Sequence, residues 1–176
     1  MKKTIYLFLA VSFIFSSCKK EEGCTEPMAV NYNSDAEDDD GSCLYDIIGS
    51  WSATTVVIDT SVTVTINGTV DPTMSGSGSV TGTPSEAETP TNIEFFSDGS
   101  VTLTFSYDNE TDTGTYTKSA NNITINDGYG DLDLTYTVNK NNLTLTQSES
   151  MQIGNPNVNG YVYDYTNDIT LSFNRD

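Results

Sequence analysis

The sequence predicts an all-β chain, and within that class an antiparallel up-and-down barrel, with a β-sandwich as the alternative. Three observations lead there. Beyond residue 46 apolar residues recur with period two, and no segment shows a 3.6-residue apolar period. Short turn signals separate those segments: Asn67-Gly68, Asp98-Gly99, Asn121-Asn122, Asp127-Gly128 and Asn141-Asn142. Apolar content is only 36%, and Thr, Ser, Asn and Asp take up the difference, a mixture suited to half-solvated strands and tight turns.

The 176-residue chain opens on Lys2-Lys3, followed by an apolar run from Ile5 to Phe15 and then Ser16-Ser17-Cys18. The run is too short for a bilayer, which takes roughly 20 residues. Its order is that of a secretory signal. Small residues directly before a cysteine resemble a bacterial lipoprotein cleavage site. The resemblance implies a signal peptide over residues 1–17 and a lipid on Cys18. The family pattern prefers Leu three positions before the cysteine. Phe15 stands there instead, in a looser box similar to those of Bacteroidetes lipoproteins. Lys20-Glu21-Glu22 resembles the signal that sends such lipoproteins to the outer face of the outer membrane. The implied location is therefore the bacterial outer membrane, lipid-anchored and surface-exposed.

Residues 18–45 then form the anchor and an acidic spacer. With Cys18 lipidated, Cys24 and Cys43 are the pair left, and export favours their oxidation. Closing a loop of that length is worth roughly 3 kcal/mol in the chain-entropy model. Gly23 to Cys43 resembles a small repeat of secreted and surface proteins with the pattern G-C-T-D-P-x-A-x-N-Y-N…D-D-G-S-C. Glu26 stands where the pattern has Asp. Calcium is the one candidate cofactor. Asn31, Asn33, Asp35, Asp38, Asp39 and Asp40 offer hard oxygen donors, and Gly41 permits a sharp turn. The spacing is not that of an EF-hand. The alternative is a solvated turn whose Asn and Asp side chains bond to their own backbone.

Residues 46–176 are expected to be the barrel domain. Its first strand, Ile47 to Ile58, holds the only tryptophan. Val101, Leu103, Phe105 and Tyr107 share one face of a strand. So do Leu132, Leu134, Tyr136 and Val138, and again Ile169, Leu171 and Phe173. Thr115–Ile125 returns 20 residues later as Thr135–Leu145, each copy a strand, an Asn-rich turn and a second strand. Two such hairpins in succession make a meander. From Asp71 to Pro90 the alternation lapses. A stretch that long reads as a lid, a binding loop, disorder or a frayed hairpin. About ten strands fit between Gly49 and Arg175, and closure into a barrel removes the open edges.

Gly49-x-Trp51 at the first strand and Arg175 at the last, on the parity of Leu171 and Phe173, resemble the signature of lipocalin-like barrels. In those proteins the Trp lies across the closed end and the Arg packs over it. The resemblance covers residues 46–176 in layout and also the segment Gly114–Gln147, and no C-terminal helix is visible, a departure from the classical lipocalins.

The formal charge is −18. The seven basic residues less Lys2 and Lys3 leave five against 25 acidic, or −20 for the exported part. Such a surface repels nucleic acid. It also repels anionic headgroups, so membrane attachment falls to the lipid on Cys18. The chain has no histidine. The acidic pairs Asp131/Asp133 and Asp164/Asp168 have the spacing of solvated faces, so a non-enzymatic role is expected. Tyr161, Tyr163 and Tyr165 share one strand face. They are candidates to line a pocket, to stack on sugars outside it, or to fill the core. Two functions result: a barrel binding a small, partly apolar ligand in its mouth, or a filled barrel with a structural, adhesive or carbohydrate-interaction role. Inward Trp51, Phe95, Phe105, Tyr136 and Phe173 predict a filled base.

Overall fold

A computed structural model describes residues 20–84, 89–106, 110–154 and 160–176. The chain divides into two compact units, one ending at Asp46 and one running from Ile47 to Asp176.

In the first unit, β1 (Glu22–Gly23) pairs in parallel with β2 (Asp38–Asp39). A Cys24–Cys43 disulfide closes the segment, with its Cα atoms 4.8 Å apart. Cys24 and Ala29 are its only buried apolar side chains among the described residues. So small a core leaves the covalent bridge as the main restraint.

The second unit is a closed antiparallel barrel. Its strands are β3 (Gly49–Ile66), β6 (Asn92–Phe95), β7 (Ser100–Thr104), β8 (Thr111–Ser119), β9 (Asn122–Asn126), β10 (Asp131–Val138), β11 (Asn142–Gly154) and β12 (Tyr161–Arg175). Each pairs with the next, and β12 returns to β3, which makes eight strands in up-and-down order. Two further strands, β4 (Thr69–Val70) and β5 (Gly76–Gly82), pair only with β3.

Alternation places the core. Trp51, Ile93, Phe95, Val101, Ile123, Leu143, Leu145 and Phe173 are all but fully buried and form one cluster. Each contributes about 1.5–3 kcal/mol by leaving water. Tyr136 and Phe105 pack against the cluster, whereas Tyr107 lies outside the described residues. The two similar hairpins have the same register: Tyr116 faces Ile125 in one, and Tyr136 faces Leu145 in the other. The turns use backbone that favours glycine, with positive φ at Asn67, Gly68, Gly99 and Gly128.

The structure differs from the sequence expectation over residues 76–82. That Gly/Ser-rich stretch is a seven-residue strand, from Gly76 opposite Val62 to Gly82 opposite Val56. Its inward positions are Gly76, Gly78, Val80 and Gly82, so it carries almost no apolar alternation for a sequence reading to find.

Three strands outrun the barrel. β10 accompanies β11 only between Leu143 and Thr146, yet β11 stays paired to β12 as far as Gly154. β6 covers β3 only from Gly49 to Ser52, after which β5 takes its place. A four-stranded sheet, β5-β3-β12-β11, therefore stands beyond the mouth. A bulge at Thr54, where the register slips between Ser172 and Phe173, keeps Val56 inward above Ala53.

Candidate binding site at the barrel mouth

The base of the barrel is sealed by the first and last strands. Trp51 is fully buried, and its Nε1 donates to the Ile47 carbonyl at 2.6 Å. The Arg175 guanidinium lies over the indole, 4.1 Å from the ring centroid. It also donates to the carbonyls of Lys140 and Ile48, each at 3.0 Å. Gly49 has φ of 124°, and a Cβ there would sit 3.1 Å from Arg175 Nη1. The glycine in Gly49-x-Trp51 thus supplies both a backbone shape and room for the arginine. Beside this plug the Asp176 carboxylate accepts from Ser50, Ser52 and Asn92. Those bonds, Ser50 first, hold its pKa below the usual carboxyl value.

At the other end the described residues leave an opening. A cavity of about 230 Å³ sits inside the mouth. Ten of its thirteen lining residues are apolar, among them Pro90, Leu103, Phe105, Leu132, Leu145 and Ile169, and the polar ones are Thr89, Asp127 and Gln147. Asp127 is occupied by its own turn, its carboxylate accepting from the backbone of Tyr129 and Gly130. What faces the cavity is therefore mostly hydrocarbon, with one amide side chain at the rim. None of this lining was singled out as a site from the sequence, although the inward parity of each strand names most of it.

Tyr161, Tyr163 and Tyr165 fall on the inward parity of β12, but they stand on the projecting sheet and do not line the cavity. Their rings form a near-parallel ladder with centroids 6.5 and 6.4 Å apart. Across the sheet, Tyr165 faces Met151 and Val62, and Tyr163 faces Ile153 and Val64. The opposite face of the same sheet is polar, with Ser61 bonded to Thr166 and Gln152 to Asp164. Between cavity and ladder the inward face carries Thr60, Asn167 and Glu149. Gln147 Nε2 donates to Glu149 Oε1 at 2.8 Å, whereas Asn167 Oδ1 is buried with no hydrogen-bond partner among the described residues.

In the disulfide unit most of the candidate calcium donors are turned to their own backbone. Asn31 bridges the Ser42 carbonyl and the Leu44 amide, and Asn33 accepts from the Asp35 amide. Asp39 accepts from the Gly41 amide and Asp40 from the Ser42 amide. The Ser42 bonds hold the Asp40 pKa below its ordinary value. Asp38 pairs with Lys20 at 3.0 Å. Among the described residues no three acidic, Cys or His side chains converge as a metal site. Cys18 lies outside the described residues. No family model, curated protein or solved structure matches this chain, so the geometry of the barrel carries the functional argument.

Proposed function

We propose that this chain is a lipid-anchored protein of the bacterial cell surface whose barrel holds a small, partly apolar ligand in its mouth. The observation that carries the binding reading is the mouth cavity of about 230 Å³, walled by hydrocarbon above a sealed base. An apolar concavity with a few polar groups at its rim is the usual form of a small-molecule site. The anchor rests on the Ser16-Ser17-Cys18 box and the acidic residues after it. A binding role is supported by a lining that among the described residues is hydrocarbon but for Thr89, Asp127 and Gln147.

The test is native mass spectrometry of the full chain purified from its own host. A reproducible adduct, lost on denaturation, is the expected result and identifies the ligand class. A clean apo mass, with no uptake from a panel of lipids and sugars, transfers the function to the outer surface and to a structural or adhesive role. Replacing Cys18 by Ala is expected to move the protein from the membrane fraction to the soluble one.

A further inference from the structure

The projecting sheet continues the binding face, and the proposal below rests on the mouth-binding reading above. The cavity is smaller than the roughly 300–1,000 Å³ of sites that enclose a whole drug-sized ligand. A ligand that enters it leaves part of itself outside. That part meets the sheet, because the cavity wall at Gln147 and Ile169 is followed, one pleat further along the same face, by Glu149 and Asn167. The step is about 7 Å along the strand.

A shallow cleft of about 380 Å³ lies there, lined by Glu149, Ser150, Met151, Tyr165, Thr166 and Asn167. Its chemistry is specific. Glu149 brings a carboxylate with one oxygen already accepting from Gln147. Asn167 brings an amide oxygen without a donor among the described residues, an arrangement that is unfavourable until a donor arrives. The terminal torsion of Asn is soft, so this oxygen can be presented to the cleft. Tyr165 and Met151 bring polarisable surface, and an aromatic face attracts a cation. No Lys or Arg occurs between Lys20 and Lys118, or between Lys140 and Arg175, so the part of this sheet beyond the mouth carries no countercharge for an anion, and Arg175, at the foot of β12, sits over Trp51 at the base.

We propose that this cleft is a headgroup site for a primary ammonium, and that the ligand is an amphiphile with an apolar tail in the mouth cavity and its amine between Glu149, Asn167 and Tyr165. The ammonium donates to the Asn167 amide oxygen and to the Glu149 carboxylate. The acidic field of the whole chain favours its approach.

The probes are three twelve-carbon chains, dodecylamine, dodecanol and dodecanoate, titrated calorimetrically into the full chain below their aggregation thresholds. The expected order is amine, then alcohol, then carboxylate, with one amine site per chain and roughly tenfold between amine and alcohol. Glu149→Gln is expected to remove about that factor for the amine and to leave dodecanol unchanged. Asp59→Asn makes the same charge change on the opposite, exposed face of the sheet, and leaves all three affinities as they were. Equal affinity for the three chains, or a Glu149→Gln effect that is absent, shared by dodecanol or matched by Asp59→Asn, overturns the ammonium site while the mouth reading stands. Binding of none of the three overturns both.

Discussion

Arg175 does three things with one side chain: it covers the indole of Trp51, and it satisfies the carbonyls of Lys140 and Ile48. Removing it strands two acceptors and uncovers a fully buried ring. Arg175→Ala is expected to cost about 2–3 kcal/mol, from a cation–π contact and charge-assisted bonds together. Urea unfolding followed by the fluorescence of the single tryptophan measures it. Arg175→Lys should recover only part of the loss, because an ammonium lacks the planar fork. Its neighbour Asp176 gives a pH signature. The folded-state pKa is lowered by Ser50, Ser52 and Asn92. The stabilisation is therefore fully present above the ordinary carboxyl value of about 4, and is lost as pH falls through the lowered value. The difference in urea midpoint between the parent and Asp176→Asn should be constant from pH 5 to pH 8 and narrow as pH falls below about 4. A difference that stays unchanged down to the lowest pH at which the barrel remains folded would show that the carboxylate charge is not its origin. Gly49, Trp51 and Arg175 were legible in the sequence because a short motif and strand parity place them. Asn167 was not singled out, although its parity between Tyr165 and Ile169 already puts a polar group on the apolar face of β12.

At the scale of the strand, alternation was legible wherever one face is solvated, which is why β7, β10 and β12 could be read off directly. It failed in β5, where glycine occupies three of the four inward positions and no apolar signal exists. It also could not show where the barrel ends. The inward apolar pattern of β11 and β12 resumes past the polar step at Glu149 and Asn167, and only the shorter neighbours β6 and β10 reveal that the sheet has left the barrel. Glycine within a strand was similarly silent. Gly114 in β8 lies where β9 approaches so closely that a Cβ would sit 2.1 Å from the Asn126 carbonyl oxygen. Backbone on both sides leaves little to give way. Gly114→Ala is expected to destabilise the barrel by more than about 2 kcal/mol, measurable in the same urea experiment. A cost under 0.5 kcal/mol would mean that β8 and β9 can part there without consequence.

At the scale of the molecule, the two units depend on different forces. The barrel has a contiguous apolar core, whereas the disulfide unit has, among the described residues, two buried apolar side chains and a covalent bridge. Reduction of Cys24–Cys43 should therefore expose residues 24–43 to proteolysis, since the roughly 3 kcal/mol from loop closure is a large share of what so small a unit can muster. Limited proteolysis with and without reductant, read by mass spectrometry, tests this. Equal resistance in both conditions would show that the backbone caps hold the loop unaided.

The seam between β3 and β12 joins the start of the barrel to its end. Ser52 and Asp176, bonded across it, are 124 positions apart. A chain growing from its N-terminus presents β3 ahead of the other barrel strands, and β3 has no closing partner until β12 follows. Until then Trp51 lacks its arginine, and the long edge of β3 is open to any other strand it meets. Bringing such distant ends together carries the loop-closure entropy that slows folding in topologies of high contact order. The barrel thus becomes a barrel only once its last strand is in place. The interval before that step is when the molecule is most exposed to misassembly and most in need of an escort.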